Sequence, residues 1–422
     1  MNINKKLGTA IATGALLLNT FTPLAFAGTT IEISGNGAGS DNWANVSQNT
    51  TTAVNQSNNA NVTNNVTSNA KTGGNDANFN TGGQVGIRTG NATVNTTVSN
   101  VLNSNSAEVD CCATGNTTVN ITGNGANSNN GVQLNQGTTT AVNQGNNANV
   151  YNNVDADAKT GGNDAYSNTG GDVTIMTGNA KVDANVSTTA NVNAAHVGSS
   201  LGANNPSAAF VISGNGAGSD NYITAALAKL TAVNQTNNAY VNNDVDANAK
   251  TGGNDAGFNT GGDTAIVTGN ATVNADVDNS VNFNFADVDC GCTWDVLAKI
   301  AGNGAEAGED DWWDWWNTPD NIITLSLDSV QAVGQGNGAN LNNDLTDLDA
   351  KTGYNDAESN TSEVDGDPAI MTGNATVNSG VSNSGNVNTV GDFGPFDWPD
   401  FPSNVEFSFN FAAMMAFFGM SL

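Results

Sequence analysis

The sequence predicts an all-β fold, an elongated β-solenoid built from four tandem repeats of about 88–100 residues, and three observations predict it. First, one phrase returns four times: KTGGND at 71–76, 159–164 and 250–255, and KTGYND at 351–356. GNGA precedes each copy (35–38, 123–126, 214–217, 302–305) and TGNA follows it (89–92, 177–180, 268–271, 372–375). Ile33, Ile121, Ile212 and Ile300 mark intervals of 88, 91 and 88 residues, so the landmarks keep register over the whole array. Second, the text between landmarks alternates with period two, and third, no helical period persists beyond the N-terminal stretch.

The elements follow in order. Residues 1–27 read as a signal peptide: Lys5 and Lys6 open it, Leu16, Leu17 and Leu18 lie in its apolar run, and Ala25-Phe26-Ala27 is a small-x-small cleavage signal. Repeat 1 takes 28–118, repeat 2 takes 119–208, repeat 3 takes 209–297 and repeat 4 takes 298–388, with a hydrophobic aromatic tail at 389–422.

Within repeat 1, Ala60, Val62, Asn64, Val66, Ser68 and Ala70 share one face of a strand. Ala148 to Ala158 and Ala239 to Ala249 repeat the pattern. A second strand set follows, with Val85 and Ile87, a turn at Gly90-Asn91, then Ala92, Val94, Thr96 and Val98. These inward residues are small, which suits a narrow coil whose walls lie about 10 Å apart. Asn64, Asn152, Asn243 and Asn343 recur on the inward face and are expected to stack as an amide ladder. Repeat 4 has 12 residues from Ala339 to Lys351 where repeat 1 has 11 from Ala60 to Lys71, which predicts a β-bulge. The alternative fold, four tandem β-sandwich domains, fits the repeat length but not the scarcity of large hydrophobes.

Charge narrows the function. Cleavage after residue 27 removes two lysines and no acid, leaving 8 basic against 39 acidic groups, a net −31. Nucleic acid is excluded as a partner, because binding phosphates requires a basic surface. No nucleophile motif or phosphate loop is present, and His196 is the only histidine, so no catalytic residue is assigned and the chain reads as a non-enzyme.

The candidate site residues are these. Lys71, Lys159, Lys250 and Lys351 recur too often for one tuned catalytic site, and are expected to pair with Asp across the Gly-Gly turn or to offset acidic neighbours. Asp76, Asp164, Asp255 and Asp356 lie five residues after them; solvated charge is the favoured reading, with calcium as the alternative and the one cofactor considered. Cys111, Cys112, Cys290 and Cys292 occupy equivalent places in repeats 1 and 3. Stacked repeats are expected to hold the two pairs tens of ångströms apart, which favours local or intermolecular disulfides in an oxidising compartment over one metal site. Trp312, Trp313, Trp315 and Trp316 lie in an acidic insertion and form a candidate binding surface for a glycan or protein. In the tail, Val405, Phe407, Phe409 and Phe411 alternate with Glu406, Ser408 and Asn410 as an amphipathic strand. That strand is expected to cap the array, to donate itself to the next subunit or to touch a lipid surface.

Two resemblances accompany this reading. The text at Gln56–Ala60, Gln144–Ala148 and Gln235–Ala239 is similar to the Gln…Asn-x-Ala segments of curlin repeats, which implies inward Gln and Asn and extracellular fibres. The longer phrases NNVTSNAKTGGNDANFNTGG and TGNATVNTTVSN resemble the Asn/Thr/Gly-rich secreted β-repeat proteins of small-genome bacteria, which implies an extracellular or cell-surface place and no particular activity. The expectation is therefore a secreted, non-enzymatic structural protein of the cell surface or extracellular matrix that associates with itself, with a Trp-loop adhesin as the alternative.

Overall fold

In the computed structural model of the chain, residues 29–110, 116–198, 207–290, 295–304, 321–362 and 368–391 are described. They are all-β, with no helix among them. Each repeat makes one passage through four sheets, here called a coil. Coil 1 comprises β1 (Thr29–Ser34), β2 (Asp41–Lys71), β3 (Val85–Arg88) and β4 (Ala92–Asp110). Coil 2 comprises β5 (Thr117–Thr122), β6 (Asn129–Lys159), β7 (Val173–Met176) and β8 (Ala180–Gly198). Coil 3 comprises β9 (Ser207–Ser213), β10 (Asp220–Lys250), β11 (Thr264–Val267) and β12 (Ala271–Asp289). Coil 4 comprises β13 (Asp295–Ala301), β14 (Asn321–Asp344), β15 (Leu348–Lys351), β16 (Ala369–Met371) and β17 (Ala375–Val390).

The four sheets run β1-β5-β9-β13, β2-β6-β10-β14 with β15 also on β10, β3-β7-β11-β16 and β4-β8-β12-β17. Every pairing is parallel and joins equivalent residues, as in Asn64↔Asn152↔Asn243↔Asn343. The sheets cross all repeat boundaries, which independent sandwich domains would not do. The equal strand lengths between landmarks are what permit this register, with β2, β6 and β10 each of 31 residues, since a slip of one residue would turn the inward set outward.

The second sheet forms one wall. Its C-terminal part packs Val154, Ala156 and Ala158 against Ala180, Val182 and Ala184 of the fourth sheet. Its N-terminal part packs Val132, Leu134 and Ile223 against Ile121, Phe210 and Ile212 of the first. The predicted inward residues lie inside: Ala148, Val150, Val154 and Ala156 are fully buried. Gly90-Asn91 joins β3 to β4 across two different sheets, so it is a corner and not a hairpin turn. Midway along β4 the inward phase shifts by one at Asn103, which adopts φ 55°; Asn191, Asn282 and Asn386 repeat this left-handed conformation one coil apart. Asn is among the few residues with a Cβ that adopt it readily, and the result is a stacked column of bulges.

The extra residue of repeat 4 lies where the β-bulge is expected: residues 345–347 face only Val245 and Asp246 of β10, Thr346 donates from both N and Oγ1 to Asp344 Oδ1, and the chain rejoins the same neighbour as β15. One expectation is corrected, the direction of elongation. A strand of 31 residues spans roughly 100 Å, while four coils rise only about 15–20 Å, so the long dimension lies along the strands and not along the stack.

Candidate functional site

Inward amides run through the stack as continuous columns. Asn64 Nδ2 donates to Asn152 Oδ1 (2.7 Å), Asn152 to Asn243 (2.7 Å) and Asn243 to Asn343 (2.6 Å), as the recurrence predicts. Asn42, Asn130, Asn221 and Asn321 form a second column in the same direction. Asn75, Asn163, Asn254 and Asn355 form a third. The residues Gln335, Gln235, Gln144 and Gln56 stack likewise, donating the other way. Each coil thus satisfies the polar groups of the next inside a narrow interior, where an unpaired amide costs about 1–3 kcal/mol. Sequence alternation does not single out the left-handed column at Asn103, whose Nδ2 also reaches the Asn147 carbonyl on the opposite wall (2.7 Å). Its one signal is the phase change in the apolar alternation between Val98 and Ala107.

The KTGGND corner stacks too, but differently from the expected pairing. Among the described residues no lysine of the motif bridges to the aspartate five residues later. A Cβ on Gly74, Gly162 or Gly253 would find the side chain of Lys71, Lys159 or Lys250 at 3.2–3.6 Å, so each lysine folds over the turn. The reason is geometric: the second glycine lacks a side chain and leaves room for the lysine stem. Lys351 pairs instead with Asp349, two residues upstream. A shallow groove of about 250 Å³ follows this column of four lysines.

Asp76, Asp164, Asp255 and Asp356 bridge one another in parallel and stand in a single outward line. Burial, then the neighbouring Asp76, raises the Asp164 carboxyl above its ordinary 3.8. Burial, then Asp356, Asp164 and Glu358, raises Asp255 in the same direction. The line carries one carboxylate per coil, and among the described residues no group of three or more His, Cys, Asp or Glu converges on a point.

Cys290 is disulfide-bonded, and its partner lies outside the described residues. The expected separation of the cysteine-bearing segments is corrected: Asp110, Gly198 and Asp289 stand in one column, so the segments of repeats 1 and 3 are two strand spacings apart, about 10 Å. A separation of tens of ångströms requires each repeat to be a thick layer, whereas each is one strand thick. Lys229 is 6% exposed beside this place and donates to the Cys290 carbonyl at 3.3 Å. Burial lowers its pKa, against the pull of Asp110. His196 Nδ1 lies 2.9 Å from Asp287 Oδ2 on the outer surface. Cys111, Cys112, Cys292, Trp312, Trp313, Trp315, Trp316, Val405, Phe407, Phe409 and Phe411 lie outside the described residues.

The two end faces of the stack are the remaining feature. β2, β3 and β4 pair on one side only, as do β14, β16 and β17. On coil 4, Ile323, Leu325 and Leu327 are 43%, 44% and 51% exposed, whereas Ile223, Ala225 and Leu227 directly beneath them are at most 1% exposed. No family model, curated protein or solved structure matches the chain.

Proposed function

We propose that the chain is a secreted, non-enzymatic structural protein of the cell surface or extracellular matrix, built as a four-coil β-solenoid that assembles with itself. The observation that carries this reading is the continuity of the stack: equivalent residues pair in parallel over four coils, and the edges at both ends are unpaired among the described residues. Unpaired strand edges are templates for further strands. Inward amide columns add stiffness, because every coil's polar groups depend on the next. The composition agrees, since a chain whose charge is dominated by acids stays soluble and repels other anionic surfaces.

Electron microscopy of the purified chain at moderate salt, without added calcium, tests the reading. Fibres whose diffraction shows a spacing of about 4.8 Å are expected. Discrete particles at every concentration tried would remove self-assembly from the reading. Fractionation of the native cells tests the compartment: recovery in the cytoplasm with residues 1–27 intact would remove secretion.

A further inference from the structure

We infer that, given the self-assembling reading proposed above, copies of this chain join head to tail: the coil-4 face of one copy seats on the coil-1 face of the next and continues all four parallel sheets. Three independent observations point to a second copy as the occupant of these faces.

The first is steric. A Cβ on Gly73, Gly161 or Gly252 would lie 1.9, 1.9 or 1.8 Å from a carbonyl oxygen of the following coil, so glycine is required wherever another coil lies above. Gly353 ends that column with open space around it and with φ outside the left-handed region, yet it is still glycine. The adjacent position shows that coil 4 tolerates exchange, because Tyr354 stands there at φ 60° where the other coils have glycine. The opposite face repeats the pattern: Gly178, Gly269 and Gly373 need the absence of a Cβ because of the preceding coil, and Gly90 begins the column with nothing near it. Both ends are thus shaped to accept the backbone of another coil.

The second is hydrogen-bond polarity. The columns that begin at Asn64 and Asn75 start with an Oδ1 that accepts nothing among the described residues. They end at Asn343 and Asn355, whose Nδ2 groups each make one bond within the chain, to Asn383 Oδ1 and to the Thr352 carbonyl. An amide nitrogen has two N–H donors, so one remains for the Oδ1 of the next copy. The Gln column runs the other way and ends on coil 4 with the Gln335 Oε1 acceptor and on coil 1 with the Gln56 amide nitrogen, so head-to-tail contact again sets donor against acceptor, whereas two coil-4 faces brought together would set the strands antiparallel and lose this match.

The third is charge. On coil 4, Asp344 stands above Asp244, Asp347 lies above Asp246 and Asp349 stands above Asn248, and the positions that would cover these carboxylates on coil 1 are the neutral Asn65, Thr67 and Asn69. Among the described residues, Asp356 over Asp76 is the exception. A head-to-tail contact is heterologous and does not close, so it yields an open filament.

The test uses the purified full chain, sedimentation to measure the end-to-end dissociation constant and electron microscopy to measure the rise. Each copy is expected to advance the filament by about 19 Å, four strand spacings. Gly353→Ala is expected to weaken the contact at least about tenfold, through overlap with the incoming backbone. Its circular dichroism and the thermal midpoint of the unassembled chain are expected to stay unchanged, because the added methyl meets open space. Thr67→Lys with Asn69→Lys is expected to tighten the contact about threefold or more at low salt. Fibres with unaltered affinity in Gly353→Ala would overturn this interface while leaving self-assembly standing. Fibres that form only after removal of 392–422 would also overturn it, since the tail would then cover the coil-4 face. Absence of any polymer would overturn both readings.

Discussion

Asn152 Nδ2 donates to Asn243 Oδ1 across 2.7 Å, although 91 residues separate the two. Asn243 in turn bonds Asn343 and Asn279, so one side chain ties together three coils and two walls. A buried amide in this position is structural in the same sense as a core leucine, but its loss acts through its neighbours.

Asn243→Ala leaves the Nδ2 donor of Asn152 and the Oδ1 acceptor of the buried Asn279 without a partner, while Asn343 Oδ1 keeps its bond from Asn279 Nδ2. The expected cost is about 2–4 kcal/mol, because each stranded group bears its own desolvation penalty. Asn64→Ala, at the open end of the same column, is expected to cost about 1 kcal/mol, since water reaches Asn64. Urea unfolding of the two variants checks this, and equal losses would show that the columns are not cooperative.

Tyr354 occupies a left-handed backbone position at φ 60° and is 81% exposed, so it gains little packing for its strain. Tyr354→Gly restores the residue that Gly74, Gly162 and Gly253 supply in the other coils. A stabilisation of about 1 kcal/mol is expected, visible as a higher thermal midpoint. A lower midpoint would mean that the ring is held by contacts beyond the described residues.

Stability is expected to rise on mild acidification. Asp164, Asp246, Asp255 and Asp278 all have carboxyls raised above 3.8, with burial the largest cause in each. Just above 3.8 the folded chain therefore binds more protons than the unfolded chain, and unfolding becomes harder as pH falls through the folded-state values. Asp344, lowered by its bonds from Thr346, works the other way, but it is one exposed group. Asp255→Asn is expected to raise stability at pH 7 by about 0.5 kcal/mol, the scale of a like-charge pair opposed across strands. The same variant is expected to flatten the pH dependence. Thermal melts at pH 7 and pH 4.5 in calcium-free buffer decide it; a midpoint that falls steadily with pH sinks the argument.

Much of this architecture is legible in the amino-acid order. The alternation through Ala148, Val150, Asn152 and Val154 identifies the inward face, and the recurring KTGGND and KTGYND landmarks, 88, 91 and 101 residues apart, identify the ladder partners. The lysine of the motif is less legible. Its spacing to Asp76, Asp164, Asp255 and Asp356 suggests pairing, but the turn points the carboxylates along one outward line, while the stems of Lys71, Lys159 and Lys250 lie over glycine and Lys351 pairs with Asp349. The left-handed column from Asn103 to Asn386 escapes the period-two pattern, because a one-residue phase change is faint in a strand already rich in Asn.

The amino-acid order alone determines the repeat, the inward face and the register, because each depends on intervals along the chain. Whether one repeat is a thick module or a single layer is decided only in three dimensions. Period-two alternation is the same in an antiparallel hairpin and in a parallel coil, and only the hydrogen bonds between strands distinguish them. Those bonds run from repeat to repeat, so each repeat is one strand thick and the long axis follows the strands. That single fact sets the strand ends at Asp110 and Asp289 near one another, lines up the carboxylates and leaves the glycines Gly90 and Gly353 facing open space at the two ends.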